Sequence, residues 1–356
     1  MNEELIIKNT GAIESPFDER DWKLDIIAGA SLPETLPDSV MLDIDDMPVW
    51  HQRKIGACVG HAWAKSQQYC EKIETGKIIP LSPRFLYAIA KCKDGIKDEG
   101  TYPRLVGQIL KDYGCATEET VPNDTTLDHE SYVFDRDISN IPAKAFLEAK
   151  PYGISGYAWA NITEQGIKQA IYYAKTKRQG VVMLMKVGDT FWIAPDGTVT
   201  WNKDKILPLR VPKTITSGHE VYPIGYEYIN GRLAIHFLNS WSADWGDNGK
   251  GWFYFDEWQN LIPEIMTSVD KTDVPTNTFS KNLSYGMSDP DVKKLQQFLN
   301  SHGFTVSYAG AGSVGKETDF FGILTKKAVI KLQAQYNLPQ TGYFGPMTRQ
   351  VVNKLV

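Results

Sequence analysis

The chain has 356 residues, 42% of them hydrophobic and 23% charged; the length suggests two domains and the composition excludes a disordered chain. No run of about 18 apolar residues occurs, so no membrane-spanning helix is expected. The net charge of −5 divides unevenly, with +5 in residues 280–356 and −10 in the remainder. A basic module on an acidic body points to separate tasks, with an anionic polymer as one partner of the basic part and ordinary solvated surface charge as the alternative.

The first residues, MNEELIIKNTGAIESPFDERDWK, have neither a basic n-region nor a continuous apolar h-region. No signal peptide is therefore expected, and the default location is cytoplasmic. Residues 1–48 are rich in Asp, Pro and Ser and read as an extended arm. CVGHAWAKSQQYCEKIETG then places Val59, Ala62, Trp63, Ser66, Tyr69, Cys70 and Ile73 at helical spacing, which predicts a long amphipathic helix stopped at Gly76. SPRFLYAIAKC, YPRLVGQILKDYG and TEQGIKQAIYYAK predict three more helices. GVVMLMKV, YPIGYEYI, RLAIHFLNS and GWFYFDEW read as strands, with a hairpin turn in YINGRL. Helices followed by strands imply an α+β domain of two lobes over 49–265, with a cleft between them.

Residues 266–282 read as a linker. Residues 283–356 read as a small helical domain with an internal repeat, because FFGILTKKAVIKL (320–332) and YFGPMTRQVVNKL (343–355) match 23 residues apart. Thr325 and Thr348 are expected to help start those helices, and Gly322 and Gly345 to permit the entry turns. DPDVKKLQQFLNSHG supplies a third helix.

Four cysteines do not make a disulfide framework. Cys70, Cys92 and Cys115 leave at least one unpaired, with a Cys92–Cys115 bridge open. No spacing reads as a metal site, and no cofactor is expected.

The chemistry concentrates in three places. Cys58 stands at a predicted helix N-terminus, where unpaired N–H groups and the helix dipole favour a thiolate. Gly56 and Ala57 leave room for a substrate backbone. His219, just before a strand, can accept the thiol proton and pass it to a leaving amine. Asn239 can accept a hydrogen bond from the imidazole and fix its tautomer, with Trp241 and Trp245 as its roof.

Gln-x5-Cys at a helix start, Gly-His before a strand, and Asn-Ser-Trp-x3-Trp-Gly-x-x-Gly-x-Gly-Trp, in that order, resemble the papain-like (C1) cysteine peptidases over roughly residues 35–260. The resemblance implies a helical lobe and an antiparallel barrel-like lobe. It makes Cys58 the nucleophile, His219 the acid/base, Asn239 the orienting residue and Gln52 the side-chain donor of the oxyanion hole. Gly100 becomes the substrate-binding glycine, and Trp241 a substrate-side aromatic. The phrases around LPDSVMLDIDDMPVWHQRKIGACVGHA resemble bacterial, archaeal and phage members.

Three departures stand out. Ile55 replaces the family's usual cysteine, so its usual disulfide is absent. Val59 replaces the tryptophan after the nucleophile. The 161 residues from Cys58 to His219 exceed the usual separation, and the excess is assigned to an insertion around 190–215. The arm is too short for the family's usual prodomain. The favoured expectation is that it wraps the strand lobe; the sharper one is that it lies in the cleft and must be cut or moved.

The C-terminal phrases DVKKLQQFL, FFGILTKKAVIKLQ and TGYFGPMTRQVVNKL resemble the peptidoglycan-binding-like domain. Val292, Leu295, Leu299, Val329, Leu332 and Val352 are its expected core. That resemblance implies peptidoglycan or another wall polymer as partner and suggests a cell-envelope or phage-virion location. The chain as a whole is thus expected to be a cysteine endopeptidase working through a thioester acyl-enzyme on polypeptides, with no nucleic acid and no membrane span. The alternatives are a peptidoglycan stem-peptide hydrolase or a dormant peptidase-fold binding or virion component. His61 is expected to pack rather than react. Trp252, Phe253, Tyr254, Phe255 and Trp258 are read as a strand core, and Lys326, Lys327 and Lys331 as a solvated face.

Overall fold

The structure is a computed structural model that describes residues 10–18, 21–25, 33, 35–177, 179–188, 208–269 and 279–355. It divides into two compact units, one of residues 1–16 and 30–271, the other of 17–29 and 272–356.

In the first unit the long helix α1 spans Cys58–Thr75 and ends at Gly76, which adopts φ +68° and donates its N–H to the Lys72 carbonyl. Glycine reaches this left-handed cap without a Cβ clash. The helix is not the half-solvated element its polar residues suggest, because every residue from Cys58 to Glu71 is buried. Several of the polar ones are paired, within the helix or to backbone beside it. Lys65 Nζ donates to Gln68 at 2.7 Å and to the Pro48 carbonyl at 2.6 Å, and Gln67 donates to Glu71 at 2.9 Å. Such pairing offsets the cost of taking these groups out of water.

Helices α2 (Pro83–Lys93) and α3 (Pro103–Asp112) each begin at a proline, whose missing N–H costs nothing in a first turn. With Trp63, Phe85, Leu86, Val106 and Leu110 they enclose one hydrophobic core. Helix α4 (Ala143–Ala149) and helix α5 (Glu164–Lys177) follow.

The strands are β1 (Val40–Met41), β2 (Gly156–Trp159), β3 (Val181–Gly188), β4 (Ile215–Ile229), β5 (Arg232–Leu238), β6 (Lys250–Tyr254) and β7 (Glu264–Val269). They form an antiparallel sheet in the order β2-β7-β3-β4-β5-β6, with β1 paired to β4. Asn230 and Gly231, both at positive φ, turn the β4–β5 hairpin, as a two-residue turn between twisted strands requires. The α+β architecture read from the pattern is the one observed. One strand is shorter than read: β6 stops at Tyr254, and Phe255–Trp258 is a single helical turn. The expected insertion lies outside the described residues over 190–207.

The expected linker is narrower than its sequence suggests. Residues 266–269 are the end of β7. Phe279 is buried in the second unit and exchanges hydrogen bonds with Asn353, and Leu283 pairs with Phe344. Residues 270–278 lie outside the described residues.

The second unit holds helices α6 (Pro290–Ser301), α7 (Ile323–Gln335) and α8 (Pro346–Leu355). Val292, Leu295, Leu299, Val329, Leu332 and Val352 are all fully buried. The repeat has a physical basis other than the one expected. Thr325 and Thr348 do not cap their helices; each hydroxyl accepts from a buried glutamine of the preceding helix, Gln296 at 2.9 Å and Gln333 at 3.0 Å. The same glutamines bond the Phe320 and Tyr343 carbonyls and receive the Thr318 and Gly342 N–H groups. Gly322 has φ −82°, so no left-handed turn demands glycine there.

Candidate active site

Cys58 opens α1, and the residue before it, Ala57, supplies no side-chain cap. The unpaired N–H groups and positive end of the helix dipole therefore lie at the thiol. His219 stands on β4, opposite Met185 of β3. Asn239 follows β5, with its N–H bonded to the Gly249 carbonyl. A 2.8 Å hydrogen bond joins His219 Nε2 to Asn239 Oδ1. Asn239 Oδ1 also accepts from the Ser240 N–H at 2.8 Å. A carbonyl oxygen only accepts, so Nε2 carries the ring proton and Nδ1 is left as the basic nitrogen. Trp241 lies against the imidazole with ring centroids 4.8 Å apart and meets Trp245 edge-on. It lies against the ring that makes the His219–Asn239 bond.

Gln52 is buried and fixed at three points. Its N–H donates to the Ser240 carbonyl, its Oε1 accepts from Ser240 Oγ at 2.5 Å, and its Nε2 donates to the Ile55 carbonyl at 2.9 Å. The amide is thereby anchored beside the start of α1. His61 packs, as expected, bonded to the Ala57 carbonyl and to Asn123. Cys58, Cys70, Cys92 and Cys115 are all free thiols. The open Cys92–Cys115 pairing is therefore not formed.

The N-terminal arm occupies this site, which corrects the favoured expectation that it wraps the strand lobe. Gly11 donates its N–H to Cys58 Sγ at 3.3 Å. Ala12 donates to the Gly218 carbonyl at 3.1 Å, Thr101 donates to the Gly11 carbonyl at 2.8 Å, and Ile13 donates to the Thr101 carbonyl at 3.0 Å. Ala12 and Thr101 thus form a parallel bridge. Farther along, Ser15 donates from both its N–H and its hydroxyl to the two oxygens of Glu264. Consecutive arm residues therefore bond Cys58 and the backbone next to His219, which brings the two motifs to one place.

The arm shows where a peptide can lie and why this one survives there. The group on the sulfur is an amide N–H, not a carbonyl carbon. The residue that pairs with the arm is Thr101 rather than Gly100. Gly100's own N–H goes to the Tyr87 hydroxyl and its carbonyl to Lys91. Gly100 instead permits close approach: it has φ +96°, and a Cβ there would sit 2.6 Å from the Gly11 carbonyl oxygen. A Cβ on Gly11 would overlap the Gly56 carbonyl.

Occlusion keeps both reactive groups neutral. Burial pushes the Cys58 thiol up to about 12, against the smaller pull of nearby backbone N–H groups. Burial pulls His219 down to about 4, partly offset by its bond to Asn239. Desolvation disfavours the charged form of each. Sequence reasoning missed Thr101, the Gly218 carbonyl, Glu220 and Glu264. Only Glu220 left a signal, as a lone charge at the head of the apolar run VYPIGY.

Residues 288–352 match the sequence model of a family described as "Putative peptidoglycan binding domain". No curated protein matches the chain. Among solved structures, the fold is similar to xylellain, a cysteine protease from Xylella fastidiosa, with a TM-score of 0.58 and 21% identity over 74% of this chain and 96% of that one. It is also similar to the recombinant stem bromelain precursor, at TM-score 0.51 and 19% identity over 76% of this chain and 80% of that one. A third is digestive procathepsin L 3 of Tenebrio molitor larval midgut, at TM-score 0.50 and 16% identity over 70% and 76%. The fold of the first unit is that of the papain-like cysteine proteases.

Proposed function

We propose that this chain is a cysteine endopeptidase held latent by its own N-terminal arm and directed to cell-wall material by its C-terminal unit. The observation that carries the reading is a peptide, the arm, bonded along the cleft at Cys58 while Asn239 holds His219 as a base.

With the arm displaced, water reaches the site and the thiol pKa falls. His219 Nδ1 takes the thiol proton, and Cys58 Sγ attacks the substrate carbonyl carbon. The carbonyl π pair moves to oxygen, where the Cys58 N–H and the Gln52 amide stabilise the anion. Collapse breaks the C–N bond as His219 returns the proton to the amine, leaving a thioester. A water molecule, deprotonated by His219, attacks that thioester and frees the acid and the thiol. Asn239 keeps the proton on Nε2 throughout, and Trp241 keeps water from that bond.

The test is labelling of the full chain, its arm displaced by Gly11→Ala, by an epoxide thiol inhibitor together with casein hydrolysis. Labelling confined to Cys58, with both activities lost in Cys58→Ser, is the expected result. A chain with its arm displaced that neither labels nor cleaves would be a dormant binding component instead. The match of residues 288–352 favours one second reading, hydrolysis of peptidoglycan stem peptides. Zymography on cell walls against casein separates the two substrates.

A further inference from the structure

Thr101, which bonds the arm on both sides of Ala12, stands at the end of a loop, residues 94–100, that is neither helix nor strand. No disulfide holds this loop, since all four cysteines are free. Its carbonyls converge on cations instead. Lys91, in the last turn of α2, is only 3% exposed. Its ammonium lies 3.0 Å from Asp94 Oδ2 and donates to the Ile96, Asp98 and Gly100 carbonyls at 3.1, 2.8 and 2.9 Å. An ammonium has three donors, so this cage leaves none spare. Arg136 adds two bonds, from Nη1 to the Ile96 carbonyl and from Nη2 to the Lys97 carbonyl, each 2.6 Å long.

The bond to Gly100 bears directly on the cleft. The Gly100 carbonyl and the Thr101 N–H belong to one planar peptide group. Lys91 holds and polarises the carbonyl end, which strengthens the other end as a donor. That other end, the Thr101 N–H, donates to the Gly11 carbonyl at 2.8 Å. The preceding peptide group is fixed as well, because the Gly100 N–H donates to the buried Tyr87 hydroxyl at 2.9 Å. Glu99 ties the same loop to the nucleophile. Its carboxylate accepts from the N–H of Gly56, two residues before Cys58. The approach is close, since a Cβ on Gly56 would lie 3.0 Å from both Glu99 Cβ and Glu99 Oε2.

Resting on the peptidase reading, we infer that Lys91 and Glu99 are positioning residues: Lys91 sets the peptide group through which Thr101 grips a substrate backbone, and Glu99 sets the place of that grip relative to Cys58. Neither is an acid, base or nucleophile of the reaction. Their losses leave different signatures. A backbone grip serves bound substrate and transition state alike, so weakening it raises KM. Shifting the grip relative to the thiol spoils the attack geometry and lowers kcat.

The test uses the full chain carrying Gly11→Ala, which displaces the arm, as parent, with active sites counted by the epoxide label. Lys91→Met should raise KM about tenfold and leave kcat within about threefold. Glu99→Ala should lower kcat about tenfold, and Glu99→Gln, whose amide oxygen still accepts from Gly56, should return to within about threefold of the parent. Peptides N-methylated singly at each of the three residues before the scissile bond give a second readout. One methyl, at the residue whose N–H goes to the Thr101 carbonyl, should cost the parent about tenfold in kcat/KM and Lys91→Met about twofold or less. A general folding defect would scale every peptide alike. Lys91→Gln makes the same comparison where Lys91→Met yields no labelled sites. A KM within about twofold of the parent, or an unchanged methyl penalty, overturns the role of Lys91. A Glu99→Ala kcat within about twofold, or Glu99→Gln no better than Glu99→Ala, overturns that of Glu99. Either result leaves the peptidase reading standing, whereas a parent that neither labels nor cleaves overturns both.

Discussion

Replacing Gly11 by alanine should convert the latent chain to an open one. The new Cβ would overlap the Gly56 carbonyl, a backbone atom that no rotamer change removes. Gly11 must then withdraw, and its two bonds, to Cys58 Sγ and from Thr101, go with it. With about 1 kcal/mol net for each of the two hydrogen bonds and about 1 kcal/mol more for residual crowding against Gly56, the occluded state loses roughly 3 kcal/mol. That is about 100-fold in the open population, at about 1.4 kcal/mol per factor of ten. The assay is the second-order rate of epoxide labelling at neutral pH. In the occluded chain the thiol, at about 12, is ionised to roughly one part in 10⁵ at pH 7, so labelling reports opening. The variant should label about 100-fold faster at pH 7. A rate within twofold of the parent would refute the argument that the arm at Gly11 controls access.

Asn239→Ala should lower kcat about tenfold or more with little change in KM, since it frees the His219 tautomer without touching the nucleophile; steady-state kinetics in the Gly11→Ala background measures it. Gln52→Ala should lower kcat by about 10²–10³, and a change confined to KM would deny it the oxyanion. Glu220→Gln should raise Tm more at pH 8 than at pH 5. A carboxyl whose folded pKa is raised stabilises the fold only while protonated, so the parent loses stability as pH climbs above its unfolded value, and the amide has no such loss. Gln333→Ala should destabilise the C-terminal unit by about 2–3 kcal/mol. It removes bonds to Thr348, Tyr343 and Gly342, and thermal unfolding would register it.

The sequence by itself determined what is local. Cys58 at a helix start, the His219–Asn239 pair and the tryptophan against it were legible because their residue types and spacings follow from the chemistry and from single elements. The helical and strand periods and the C-terminal core were legible for the same reason. Repeat residues Thr325 and Thr348 were visible too, though their role as acceptors for Gln296 and Gln333 was not, since it needs two helices brought together. Only the tertiary structure decided where the arm lies. Its bonds run to the backbone of Thr101 and Gly218, and a carbonyl or N–H is the same whatever side chain it carries, so no pattern marks such a partner in advance. Glu220 and Glu264 are 44 residues apart in the chain and meet only because β3 lies between β4 and β7. That pairing buries two unremarked acids in one row across the sheet.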